Sequence, residues 1–312
     1  MQSVVTLTIN PALDLSTSVP SVTPVHKLRC AAAQYDPGGG GINVARVIRR
    51  MGGDVTAIYP IGGPTGELLR RHVVKEGIQG VTIQVVNDTR ISFTVLEKAT
   101  GDEYRFVLPG PSLMDEEWRA CIEELGRLPE PPDYLVMSGS LSPNVPDDFY
   151  ARVGRAAKQW GGKVVLDSSG PALAAGLAEG IYLIKPNLRE LRELTGQSLD
   201  TETSRVEVCR SLVEAGRAEA VALTLGDQGA LLVTHDVALR ANALPIEAVS
   251  SVGAGDSFLG AMVWAIASGH NLDEAFRYGV AAGSAALMTP GTELCRLEDV
   301  SALYGQVAIH AI

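Results

Sequence analysis

Short runs of β-branched and aliphatic residues alternate along the chain with longer stretches whose apolar positions recur at helical spacing. VVTLTI (4–9), VTAIYP (55–60), YLVMSG (134–139), KVVLD (163–167), IYLIK (181–185) and AVALTL (220–225) read as buried strands. Between them INVARVIRRM (42–51), GELLRRHVVKE (66–76), DDFYARVGRAAKQW (147–160) and SRVEVCRSLVEAG (204–216) read as helices. The C-terminal third reads as helical over 255–268, 272–288 and 297–306. This alternation predicts an α/β fold, with a mostly parallel central sheet and helices on both faces.

Two stretches break the alternation. Residues 15–36 and 88–108 are strand-like without a helix of their own, and Gly101-Asp102 marks a hairpin turn in the second. Strands inserted at two points predict one small accessory β-sheet, a lid. A small isolated sheet is marginal in water, so the lid is expected to pack against a second copy in a homodimer. No long linker, repeat or low-complexity segment divides the chain. Residues 1–312 are therefore expected to form a single domain carrying this lid.

The net charge of −10 changes the picture by exclusion. It argues against nonspecific binding to nucleic acid and against an anionic membrane surface. An anionic small ligand would need a local cluster of cations. Lys27, Arg29, Arg90 and Arg105 all lie in the predicted accessory strands and could form one. Cys30, Cys121, Cys209 and Cys295 are widely spaced without a CxxC, which suggests reduced thiols in the cytoplasm rather than a zinc or redox motif. Neither a signal peptide nor an apolar run of membrane length is evident.

The candidate chemistry centres on SSVGAGDSFLGAMVWAI (250–266). Gly253, Ala254, Gly255 and Asp256 open a helix there. One reading is an ordinary cap, since Asp satisfies orphan N–H groups at a helix start. The other is an anion site, because free N–H groups and the positive end of a helix favour a phosphate. A carboxylate would repel that phosphate, so Asp256 fits better as a group that handles a proton beside it. The stretch is neither a dinucleotide fingerprint, whose sixth position here is Phe258, nor a Walker loop, which needs a lysine. A second glycine run, Gly38 to Gly41, precedes a strongly patterned helix and suggests close backbone approach to a ligand, with Asn43 presenting an amide. Asp14 follows the first strand, where open α/β sheets bind ligands, and could accept from hydroxyl groups or serve as a turn residue. Asn187 and Glu190 have capping-box spacing, which is compatible with Glu190 also lying near a hydrated Mg²⁺.

Taken together, TLTINPALD, PGGGGINVAR, EYRFVLPG, SGSLSP, DSSG, KPNLREL, TLGDQGA and SVGAGDSFLGA resemble the ribokinase-like (PfkB) carbohydrate kinases over nearly the whole chain, especially their ATP-dependent 6-phosphofructokinase members. The resemblance implies a ribokinase-like fold and transfer of the ATP γ-phosphate to the 1-hydroxyl of fructose 6-phosphate. It implies that Asp256 is the general base, with Gly253, Ala254 and Gly255 as the anion hole. Asp14, Gly39 and Asn43 would hold sugar hydroxyls, and Lys27, Arg90, Arg105 and Ser140 the sugar phosphate. Lys185, Asn187, Thr224, Gly226, Gly229 and Ser251 would serve the ATP site, with Glu190 near Mg²⁺. Ser250, Val252, Ala286, Thr289 and Gly291 would surround a monovalent cation, K⁺ in many members. The common family signature has Asp-Thr where this chain has Ser250-Ser251. Tagatose-6-phosphate kinases and 1-phosphofructokinases share close variants of SVGAGDS and remain alternatives. A nucleotide-binding regulatory protein that has lost catalysis is the alternative from another class, and the retained Asp256, Asn187 and Glu190 argue against it.

Overall fold

The computed structural model describes residues 1–312. In chain order the first half runs β1 (Val4–Leu7), β2 (Ala12–Val19), β3 (Gln34–Gly38), α1 (Gly40–Arg50), β4 (Thr56–Ile61), α2 (Gly63–Lys75), β5 (Gln79–Gln84), β6 (Arg90–Glu97), β7 (Glu103–Val107), α3 (Asp115–Gly126), β8 (Tyr134–Ser138) and α4 (Phe149–Gln159). The second half runs β9 (Lys163–Asp167), α5 (Gly170–Leu177), β10 (Ile181–Ile184), α6 (Leu188–Thr195), α7 (Glu202–Glu214), β11 (Ala218–Thr224), β12 (Ala230–Thr234), β13 (Ala238–Ala241), α8 (Ala254–Ala267), α9 (Leu272–Leu287), α10 (Leu297–Tyr304) and β14 (Ile309–Ala311).

The large sheet has ten strands in the order β14-β13-β12-β11-β10-β9-β8-β1-β4-β5. Strands β11 through β5 pair in parallel, and β12, β13 and β14 extend one edge antiparallel. The central strands are apolar on both faces because both are covered. Helices α1, α2, α8, α9 and α10 contribute to one core, around Ile42, Leu69, Leu259, Phe276 and Val300. Helices α3 to α7 contribute to the other, around Trp118, Phe149, Leu173, Leu191 and Val208. The chain steps from β1 to β4 on one side, while β8 lies on the other. The order thus reverses at β1, the kind of switch point where such sheets form a crevice at their carboxyl ends.

The expected lid is present as a second sheet in the order β3-β2-β6-β7. Only the ends of the stretch 15–36 are strand; residues 20–33 are irregular, and Pro20 and Pro24 cannot donate to a ladder. Asp14 belongs to β2 in this lid, paired with Asp36 and Ser92, rather than to the sheet's own strand end. Directly paired residues share a face. One lid face therefore carries Asp14, Asp36, Ser92, Thr94, Glu103 and Arg105. The other carries Leu15, Tyr35, Phe93, Val95, Tyr104 and Phe106, with Phe93 and Phe106 stacked at a centroid distance of 4.7 Å. Strands β5 and β12 to β14 and helices α3 and α5 were not anticipated by the periodicity. Strand β5, QGVTIQ, lies at a sheet edge and keeps exposed glutamines, so its pattern is weak. No helix is long and apolar enough to cross a membrane.

Candidate functional site

Helix α8 starts at the crevice with Gly253 as its N-cap, in the left-handed region at φ 73°. A Cβ there would sit 2.3 Å from Leu294 Cδ2, so glycine is required for both conformation and space. No side chain caps the helix. Asp256, in the first turn, instead accepts a hydrogen bond from Asn43 Nδ2 of the neighbouring helix α1 at 2.8 Å. The cap reading of Asp256 is thereby replaced: the carboxylate faces α1, and the N–H groups of Gly253, Ala254 and Gly255 are left for another acceptor. Burial first, and the nearby Asp167 second, push the Asp256 carboxyl up to about 6, against the pull of Asn43 and Lys185.

The glycine run before α1 brings two strand ends together. A Cβ on Gly38 would lie 2.1 Å from Asp14 Oδ2, so the protein's own carboxylate fills the space beside that backbone. Gly39 is the N-cap of α1 at φ 108°. Asp14 is pushed up to about 6 by burial, although Arg90, Arg46 and Arg105 all favour its charged form. Arg90, at the start of β6, donates from Nη1 to the Leu108 carbonyl and from Nη2 to the Asn10 carbonyl, both at 3.1 Å. Its Nε is buried without a partner, as are Asn10 Oδ1 and Thr8 Oγ1. Asn10 Nδ2 donates to Ser140 Oγ at 3.2 Å, which ties Ser140 to the same side. Such orphaned polar atoms are expected where a polar ligand belongs. Arg105 lies exposed on β7. Lys27 lies exposed in the irregular segment between β2 and β3, makes no ion pair, and is not brought to Arg90 by a lid strand as the sequence suggested.

On the other side of α8 the carboxyl ends of β9, β10 and β11 line up. Lys185, just after β10, is buried and pairs with Asp167 Oδ1 at 3.1 Å. Burial pulls its ammonium down, but Asp167, Asp256 and Glu190 together outweigh this and hold it above its ordinary value. A Cβ on Gly255 would lie 3.3 Å from Lys185 Nζ, so this cation sits beside the α8 start. Asn187 and Glu190 form the expected capping box on α6, with both reciprocal bonds at 2.9 Å. Burial raises the Glu190 carboxyl. Thr224 ends β11, bridges to Asn187, and is followed by a short turn at Gly226 with Gly229 at φ 93°.

The expected cation residues lie close together around the loop after α9. Val249 N and Ser250 N donate to the Leu287 carbonyl, at 2.7 and 3.3 Å. Thr289 Oγ1 donates to the carbonyls of Ala286 and Leu294, at 2.9 and 3.0 Å. Val252 N donates to Ser250 Oγ at 3.2 Å, and Gly291 abuts Ser16 of the lid. Ser251 is exposed just before α8. Ser250 Oγ also donates to Glu103 Oε2 of the lid at 2.8 Å. This lid carboxylate stands beside the position where the resemblance expects an Asp, and nothing in the sequence pairs the two.

The sequence reading missed three residues of this arrangement: Asp167, Glu103 and Arg46. Asp167 carried a signal, since it ends a buried strand at the crevice; Glu103 carried none, because Ser250 lies far along the chain, and Arg46 reads alone as one more charge on a basic helix. Chemically, the site offers a half-buried carboxylate beside helix N–H groups, with cations on both flanks. That arrangement suits transfer of an anionic group to a hydroxyl whose proton the carboxylate removes.

Comparison with known proteins adds to this geometry. The pfkB family carbohydrate kinase model matches residues 3–299. The chain is 44% identical over 301 residues to the ATP-dependent 6-phosphofructokinase isozyme 2 of Mycobacterium tuberculosis, covering 96% of this chain and 88% of that protein. It is 41% identical to the isozyme of the same name from Escherichia coli, covering 99% and 100%. A 1-phosphofructokinase of Bacillus subtilis is 36% identical, covering 92% and 94%. Crystal structures of phosphofructokinase-2 from Escherichia coli superpose with TM-scores of 0.94 in complex with potassium and 0.92 with fructose-6-phosphate. The tetrameric inhibited form of that enzyme also superposes at 0.92; each of the three is 40% identical and covers 98% of this chain and 99% of that one.

Proposed function

Because the chain belongs to the pfkB family of carbohydrate kinases, we propose that it is an ATP-dependent 6-phosphofructokinase, transferring the γ-phosphate of ATP to the 1-hydroxyl of fructose 6-phosphate. The observation that carries this reading is Asp256, a half-buried carboxylate at a helix start that caps nothing and accepts from Asn43. The 1-hydroxyl loses its proton to Asp256 as its oxygen forms the new bond to phosphorus and the bond to ADP breaks. The N–H groups of Gly253, Ala254 and Gly255 face the transferred group with the positive end of α8 behind them.

Asp14 and Asn43 bind sugar hydroxyls, with the backbone of Gly39 beside them. Arg90, Arg105 and Ser140 take the 6-phosphate. Arg90 suits that role, because a guanidinium has five N–H donors and two bonds to carbonyls leave its buried Nε free. Lys185 neutralises charge beside Gly255, while Asn187, Thr224, Gly226, Gly229 and Ser251 flank the nucleotide.

No group of three or more His, Cys, Asp or Glu side chains is placed to hold a metal ion. Mg²⁺ needs none, since it is usually held by one or two carboxylates together with substrate phosphates and water. Glu190, through water, and Asp167 fit that pattern, and Mg²⁺ bound there would neutralise phosphate charge. The hydroxyl and carbonyl oxygens around Ser250, Val252, Ala286, Thr289 and Gly291 are hard donors that suit K⁺.

Initial rates of ADP release over fructose 6-phosphate, fructose 1-phosphate and tagatose 6-phosphate test the substrate. The highest kcat/KM should fall on fructose 6-phosphate. A higher value for either competitor would replace this assignment.

The lid also carries the assembly part of the proposal, a homodimer. Its outer face exposes Tyr35, Tyr104 and Phe106, and a small sheet with an open apolar face is marginal alone. A second copy presenting the same face would cover it, and Lys27 could then meet a neighbour's site. Light scattering at micromolar concentration should give the mass of two chains, and Phe106→Asp should shift it towards one. A fully active monomeric wild type would contradict the lid interface.

A further inference from the structure

Arg46 is the largest fully buried side chain in the protein, and no role in binding or proton transfer falls to it directly. We propose that Arg46 is a positioning residue: it fixes the amide of Asn43 so that the NH₂ group, not the carbonyl oxygen, faces Asp256. The inference rests on the proposed reaction, in which Asp256 is the base.

The argument comes from donor and acceptor chemistry. A guanidinium can only donate, and an ionised carboxylate can only accept. The Asn43 amide lies between one of each. Arg46 Nη1 donates to Asn43 Oδ1 at 3.2 Å, and Asn43 Nδ2 donates to Asp256 Oδ2 at 2.8 Å. Only one orientation of the amide satisfies both neighbours. The flipped amide would set its oxygen against the carboxylate and its NH₂ against the guanidinium, two repulsive contacts in a buried place.

Arg46 is itself held from several sides. Nε donates to Glu76 Oε1 at 3.1 Å, and Nη2 to Asp36 Oδ1 at 3.3 Å. Nη1 also reaches the carbonyls of Pro37 and Thr292, both at 3.1 Å. Thr292 Oγ1 donates to Asp36 Oδ2 at 2.8 Å, closing a ring. A buried cation is costly unless it is hydrogen-bonded and its charge is paired; here each guanidinium nitrogen has an acceptor, and Asp36 and Glu76 pair the charge. One guanidinium therefore joins the root of the lid at Asp36 and Pro37, the loop after α9 at Thr292, and the partner of the base at Asn43. A shift of the lid root or of that loop would reach Asp256 through Arg46.

The test is a double-mutant cycle in the full chain with MgATP and whichever hexose phosphate the wild type turns over. Arg46→Lys keeps a positive charge for Asp36 and Glu76, but one ammonium cannot replace the planar fork that also reaches Asn43. Its kcat should fall about tenfold or more, as for loss of a hydrogen bond to a charged group. KM for ATP should stay within about threefold, whereas KM for the hexose phosphate should rise alongside the fall in kcat, because Asn43 also binds its hydroxyls. Combined with Asn43→Ala, Arg46→Lys should add little, because both changes act through one amide. Wild-type kcat in Arg46→Lys, losses that multiply with Asn43→Ala, or an effect confined to KM would each overturn the proposal. Should Arg46→Lys not fold, Glu76→Gln loosens the same guanidinium from its half-buried outer side. Its kcat should fall several-fold without multiplying the Asn43→Ala loss, and wild-type kcat or a multiplied loss would overturn the proposal equally. A wild type inactive on fructose 6-phosphate would defeat the substrate reading alone, leaving the cycle to be read on the true substrate.

Discussion

Asp256→Asn should fold at least as stably as the native protein and turn over at least about a hundredfold more slowly. General base catalysis contributes roughly 10²–10⁴ in rate. The amide keeps the shape of the carboxylate and still offers an oxygen to the Asn43 NH₂ group, but it cannot take the hydroxyl proton. The stability part follows from titration. Burial raises the Asp256 carboxyl to about 6, above the roughly 3.9 of an unfolded chain. A group raised on folding adds its stability below the unfolded value and loses it as pH rises through the folded value. At pH 8 the native protein therefore carries the cost of a partly desolvated anion that the amide removes. The variant should melt no lower than wild type at pH 8, and its advantage should shrink between about pH 6 and pH 4. Wild-type kcat should fall as pH drops below about 6, where Asp256 becomes protonated. A folded variant keeping more than about a tenth of the native turnover would remove Asp256 from the mechanism.

Arg90→Ala should raise KM for fructose 6-phosphate by roughly 30-fold or more and leave KM for ATP nearly unchanged. Truncating one partner of a buried charge-assisted contact typically costs about 2–5 kcal/mol of binding. The site offers little to replace it. Arg105 is exposed on β7, and Lys27 makes no ion pair. Asp14 would also lose its strongest favourable charge, since Arg90 is the largest influence opposing its burial. Its carboxyl would rise further above about 6, so binding of the sugar should become more sensitive to acid in the variant. Equal rises in both KM values would place Arg90 outside the phosphate site.

Legibility from the sequence follows the distance over which each feature is built. The α8 start, the capping box at Asn187 and Glu190, and the glycine run before α1 are contained in a few residues, and all three were readable. So was the lid, because its strands interrupt an otherwise regular alternation. Asp14 was placed at a strand end of the main sheet, but the chain has already turned into β2 by Ala12. The missing Cβ of Gly38 makes room for Asp14 itself, whose carboxylate lies against that backbone, a contact no local pattern records. The pairs Asn43–Asp256, Lys185–Asp167 and Ser250–Glu103 join separate elements. No local pattern records such pairs, since each residue alone reads as a cap, a strand-end charge or a solvated side chain. Strand β5 escaped notice for a related reason: pairing with β4 stabilises it, whereas its own apolar content does not mark it.

The most direct test of the central claim is ³¹P NMR of the product formed from fructose 6-phosphate and MgATP. The assignment predicts stoichiometric conversion of ATP to ADP, with a second phosphate ester appearing on C1 while the 6-phosphate ester persists. ATP that remains intact, or that is hydrolysed to inorganic phosphate with no new sugar ester, would contradict it.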